Sequence, residues 1–243
     1  MQIEKSEALG RNIRQEKGES LATSTWDEVR AAIQEGRTQD ALAGLDYGCA
    51  EAKMMHDSMC SFADDALTRL AEVGGDEEVQ QLLRKRYQPV ITRWLATTPD
   101  VRESLERGIE FQRGHFGQTS VKEEADRFVV TCDPCGSGGQ LRRTKEVARV
   151  KEAHDWTWNK EDIPYYCTHC AIMWEIIPTE MRGHPIRINL PPKNDSDPCV
   201  HLYYKTADSI PDEYFDRISR TRTANFEAPL KFYPHSDNIK AKE

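Results

Sequence analysis

Nowhere in the 243 residues does an apolar run approach the roughly 18 residues that a membrane span requires. Positive charge is also in short supply, because 33 Lys and Arg face 41 Asp and Glu, leaving a net charge of −8. That deficit removes the electrostatic attraction that usually supplies most affinity for a phosphate backbone or an anionic bilayer, so neither nucleic acid nor membrane is an expected partner. The opening residues, Met1-Gln-Ile-Glu-Lys-Ser6, lack the basic segment followed by an apolar one that marks a secretory leader, and the expectation is a cytoplasmic protein. No internal repeat is visible. The one glycine-rich stretch, Gly136-Ser-Gly-Gly139, has Arg142 and Arg143 nearby but lacks the Lys-Ser/Thr ending of a nucleotide-binding loop. It reads as a flexible turn. Cysteine is not scarce: there are seven. A chain of this length buries a sizeable core without disulfide staples, and thiols stay reduced in the cytoplasm, so the cysteines need another explanation.

The first half has helical grammar. Thr25-Trp-Asp-Glu28 has capping-box spacing and predicts a short helix over 26–35, stopped by Gly36. Met55, Met59, Phe62, Ala66, Leu70 and Val73 recur at intervals of four and three, which predicts one apolar stripe of a helix ended by Gly74-Gly75. Asp76 caps a third helix through Val79, Leu82, Leu83 and Tyr87, which Pro89 should break or kink. Thr98-Pro99 predicts the start of a fourth, through Val101, Leu105, Ile109 and Phe111 to about Gly114. Beyond residue 120 short β-prone runs follow one another, at 127–131, 173–177, 186–190 and 200–204, divided by Gly, Pro, Asn and Asp. The expected organisation is α+β: a loose terminus (1–20), a helical domain (21–118), a zinc-ribbon-containing α+β domain (119–233) and a loose tail (234–243). A small-molecule pocket is expected between the two domains.

The most specific pattern is Cys132-Asp-Pro-Cys135-Gly136 paired with Cys167-Thr-His-Cys170. Two residues between thiols let both sulfurs face one point, and a glycine after the second permits a left-handed turn. Two such hooks predict a tetrahedral four-cysteine zinc site, with an insertion between them. An iron–sulfur centre, a disulfide or a redox pair are the competing assignments. With four thiolates the zinc has no open position and is structural, so chemistry must come from elsewhere.

Candidates for that chemistry are Cys199, at the head of a strand-like run, and His56 with Cys60, one helical turn apart on a stripe that also carries Cys49 and Lys53. His154 is a further candidate, although its neighbour Asp155 should point to the opposite face if the segment is extended. His169, inside the second hook, reads as a solvent-facing knuckle residue, and His115 and His184 sit in turns. Trp156, Trp158, Tyr165, Tyr166 and Trp174 crowd the second hook, either as a pocket wall or as the core of a small domain.

The succession of a strand ending in Cys132-Asp-Pro, a cysteine-rich turn at Cys170 and a Gly/Asp-rich loop delivering Cys199 into a last strand resembles the cysteine-bearing domain of the L-2-amino-thiazoline-4-carboxylic acid hydrolase-like proteins, over residues 126–206. The resemblance implies hydrolytic opening of a small C–N-containing ring, with Cys132, Cys170 and Cys199 at the matching positions. Cys135 and Cys167 depart from that pattern by completing two metal-type hooks. The expected function is therefore a zinc-containing hydrolase or lyase of small-molecule metabolism. The alternative is a non-catalytic zinc-ribbon module that docks a protein partner, and a homo-oligomer is compatible with either.

Overall fold

The computed structural model describes residues 1–98 and 100–223. The chain is a mixed α+β protein dominated by helix at its N-terminal side, and it divides into two compact units, Met1–Met59 and Cys60–Glu243.

The first unit begins with an antiparallel hairpin, β1 (Ile3–Ser6) and β2 (Arg11–Arg14), where the sequence predicts a loose terminus. Tyr47 and the main chain of residues 20–23 take the hydrogen bonds of Arg14, which is why this polar segment holds a defined course. Helix α1 (Thr25–Gln34) is capped by the Ser24 hydroxyl, which accepts the Trp26 N–H. Its buried side, Thr25, Val29 and Ala32, faces inward, and the Thr25 hydroxyl donates to Glu51. Helix α2 (Thr38–Gly74) is much longer than its apolar stripe suggests. That stripe also faces outward: Met59 and Phe62 are 60% and 68% exposed. The buried side is instead the neighbouring one, with Ala41, Cys60, Asp64 and Leu67.

The second unit is built around one apolar core. Helix α3 (Asp76–Thr97) continues through Pro89, so of the expected break or kink the break does not occur. Helix α4 (Val101–Gly114) is capped by Asp100, whose carboxylate accepts the Glu103 N–H at 2.8 Å, rather than by Thr98; Pro99 lies outside the described residues. Leu67, Val79, Leu83, Ile91, Trp94 and Leu105 from these helices share a core with Val130, Trp174, Ile176 and Tyr203 from the C-terminal half. The boundary expected near residue 119 therefore falls inside a continuous core, because helices 2 to 4 supply the cover that the sheet needs. The predicted tail, 234–243, lies outside the described residues.

The sheet has the order β3 (Thr119–Glu123), β4 (Arg127–Cys132), β6 (Cys199–Tyr204), β5 (Ile188–Leu190), all antiparallel. After β4 come helix α5 (Gly138–Thr144), short turns, and a helical stretch made of α6 (His169–Ala171), a π segment (Ile172–Ile176) and α7 (Ile177–Arg182). A short α8 (Glu213–Asp216) follows the sheet. The run 173–177 is thus helical and not a strand. It is buried on all sides, so it lacks the alternation that separates a strand from a core helix. Pro178 has no N–H to offer the Trp174 carbonyl, and the Ile186 N–H fills that vacancy at 3.0 Å.

Candidate functional site

The ends of β4 and β6 set the geometry. Their register pairs Cys132 with Cys199, and the side-chain period of two carries His201 onto the same face as Cys199. Beyond Cys132 the chain passes close under the His115 carbonyl: a Cβ on Gly136 would lie 1.7 Å from that oxygen. Glycine is required there by close approach, not by the left-handed conformation that the motif suggests, since Gly136 is absent from the positive-φ glycines. A Cβ on Gly138 would lie 2.7 Å from Cys167 Sγ, so this glycine lets the second hook close on the first.

Four thiols reach one cavity of about 40 Å³ within the second unit: Cys135, Cys167, Cys170 and Cys199. Cys132 is fully buried behind it, with its sulfur 3.7 Å from His201 Nδ1. Among the described residues, no three of these five sulfurs lie mutually within 4.8 Å. Sulfurs about 2.3 Å from a tetrahedral zinc would be roughly 3.8 Å apart. Two guanidinium groups, Arg142 and Arg187, and two imidazoles, His169 and His201, join Gln112, Ser137 and Asn189 in the polar lining, and Trp158 and Trp174 stand in the apolar wall.

The thiols differ in their surroundings. Cys135 shares a hydrogen bond with Cys199 and accepts further ones from the Gly139 and Ser137 N–H groups, which together hold its pKa well below the ordinary thiol range against the opposing effect of burial. Cys199, the donor of that shared bond and itself buried, is pushed strongly up. Burial pushes Cys132, Cys167 and Cys170 up to about 12, so they are neutral thiols. His201 is driven well below its usual value by burial and by Arg187, and it is neutral.

Buried polar groups face this cavity incompletely satisfied. Arg142 donates to the Asp197 carbonyl at 3.2 Å and to Cys199 Sγ at 3.6 Å, while its Nε, 3.7 Å from Asp195 Oδ1, makes no hydrogen bond; Gln112 Oε1 makes none either. Glu175 is fully buried one layer below. It accepts from Trp158 Nε1 at 2.8 Å and Asn189 N–H at 2.8 Å and pairs with Arg217 at 2.7 Å. This network fixes both the tryptophan wall and the β5 edge.

The other predicted residues lie elsewhere. His154 pairs with Asp76 at 2.8 Å and stacks on Trp156, and Tyr165 donates to the same Asp76 at 2.7 Å, so it acts as a link between a turn and the start of α3. His154 lines neither this cavity nor the larger one described below. Cys60 accepts from the Tyr166 hydroxyl at 3.6 Å and has a His115 ring nitrogen within 4.8 Å. His56, one turn earlier on α2, lies 3.0 Å from Asp57 through Nδ1, and Asp57 also pairs with Lys53. Cys49 is exposed. His169, read from the motif as a solvent-facing knuckle, is a cavity residue whose Nε2 lies 3.6 Å from Cys170 Sγ. Arg187, Asn189, His201 and Gln112 were not singled out by the motifs. The available signal was the i, i+2 spacing of Arg187 with Asn189 and of Cys199 with His201 on neighbouring strands. No protein-family model, curated protein or solved structure matches this chain.

Proposed function

We propose that the chain is a hydrolase or lyase acting on a small C–N-containing compound, with Cys135 as nucleophile. The observation that carries this reading is the convergence of Cys135 and Cys199, Arg142 and His169 on one tryptophan-walled cavity. Small-molecule sites have this composition: an apolar wall with a few convergent polar groups. The enclosed volume suits the reacting end of a substrate rather than a whole ring system.

In the proposed reaction the Cys135 thiolate adds to the electrophilic carbon and forms a C–S bond. The C–N bond then breaks, and the departing nitrogen takes a proton from His169. Water then adds to the carbon, returning a proton to His169, and the C–S bond breaks to release the thiolate. Arg142, a buried guanidinium at the thiol cavity, stabilises the negative charge that develops on the substrate. Cys199 positions Cys135 through their shared hydrogen bond.

A second reading retains zinc as a scaffold metal, with the domain as a docking module. It is favoured by the meeting of Cys135, Cys167 and Cys170, three of the four hook thiols, at one cavity. Zinc binding requires the sulfurs to draw together from their present spacing. Elemental analysis of reduced, unchelated protein, combined with thiol labelling, separates the two. About one zinc per chain with Cys135 unreactive until chelation supports the module. Metal-free protein with a fast Cys135 that Cys135→Ser removes supports the enzyme.

A further inference from the structure

A second cavity, of about 310 Å³, lies on the other side of Arg187 from the thiols, between the start of α4, the β5 and β6 strands and the turn around Ala207. This volume falls in the range of small-molecule sites. Its charge is unbalanced. Arg187 is 2% exposed; its hydrogen bonds go to neutral groups, Asn189 Oδ1 at 2.8 Å and the Tyr203 hydroxyl at 3.2 Å, and its guanidinium lies 4.3 Å from the Trp174 ring, contacts that hold it charged against burial. Arg182 donates to the carbonyls of His184 and Pro185, at 3.3 and 3.1 Å. Among the described residues neither guanidinium is paired with a carboxylate. Lys205 adds a third cation at the rim, although it is paired with Glu123 at 2.7 Å. The one acidic residue of the lining, Asp100, is engaged as the cap of α4. The buried Ser104 also lines the cavity.

A buried guanidinium and a half-buried one at the same cavity, neither with a carboxylate partner, are costly, and such an arrangement persists where an anion completes it. Guanidinium forks match the planar or tetrahedral oxygens of carboxylates and phosphates. We propose that this cavity is a binding site for a small organic oxyanion, held by Arg182 and Arg187 with Ser104 as a further donor. Burial lowers Arg182 to about 10, which is the signature of a cation with no compensating charge beside it. The site is separate from the Cys135 chemistry, and it stands whether or not that reading holds.

The test is calorimetric titration of the full chain with inorganic phosphate and, separately, with malonate, in a chloride buffer near neutral pH. The expected result is saturable binding of at least one probe with a Kd of about 1 mM or tighter, retained by Cys135→Ser. The stronger of the two identifies phosphate or carboxylate as the recognised group. Arg182→Gln should weaken binding by about tenfold or more. Ala207→Glu, which adds a negative charge at the rim and leaves both arginines in place, should do the same and decides the matter if Arg182→Gln fails to fold. Absence of saturable binding of either probe to the wild-type chain overturns the proposal, as does unchanged affinity in Ala207→Glu.

Discussion

Glu175 is the residue on which most of the site geometry depends. It holds Trp158, Asn189 and Arg217 at once from a fully buried position. Glu175→Gln leaves Arg217 buried without its counter-charge, and the expected cost is about 3–5 kcal/mol, read as a shift in the denaturant midpoint. His184 makes a different contribution. Burial, reinforced by Arg182, lowers it from 6.5 to about 4, so the folded state resists a proton that the unfolded chain accepts. The associated stability is fully present above pH 6.5 and is lost as pH falls toward 4, amounting to roughly 3 kcal/mol. Denaturation curves at stepped pH should show that loss in wild type and a flatter profile in His184→Gln; superimposable profiles would contradict the assignment. Cysteine was the residue type most legible in the sequence, since paired spacing survives any fold. The partners that bias ionisation at the cavity, Cys199 with the Ser137 and Gly139 N–H groups at Cys135 and Arg187 at His201, come from local turns and distant strands and leave no spacing signature.

At the scale of elements, helices α1 and α4 were readable to within a residue or two because each has a clear period, although the caps are Ser24 and Asp100 and not the expected Thr25 and Thr98. The face of α2 was not. A 4,3 stripe of Met55, Met59, Phe62, Ala66, Leu70 and Val73 implies burial, but which stripe is covered depends on what packs there, and in the structure only Leu70 of this one packs against the core while Met55, Met59, Phe62 and Val73 are exposed. Phe62→Glu should therefore change stability by less than about 0.5 kcal/mol. Leu67→Ala on the covered side should cost about 2–5 kcal/mol, and thermal melts of the two variants test the assignment directly. The segment 173–177 misled for a related reason. A short apolar run bears no period when every side is buried, and Pro178 then shapes it through the hydrogen bond it cannot make.

For the whole molecule, composition was informative about class and silent about partition. Helix-rich and strand-rich halves suggested a division near residue 119, yet the helices after residue 60 and the sheet bury one another in one core. A change of secondary-structure grammar marks a domain boundary only where each side can bury its own apolar face, and this sheet cannot. The excess of acidic groups gives a further expectation: no shift of duplex DNA at micromolar protein and physiological salt, checked by mobility assay. The central claim, a nucleophilic Cys135 in a cavity of otherwise neutral thiols, is tested most directly by the alkylation rate of each cysteine in the native full chain, resolved by peptide mapping near pH 7. Cys135 is expected to react much faster than a model thiol of pKa about 8.5, with Cys132, Cys167 and Cys170 far behind. A Cys135 that labels no faster than these three would contradict it.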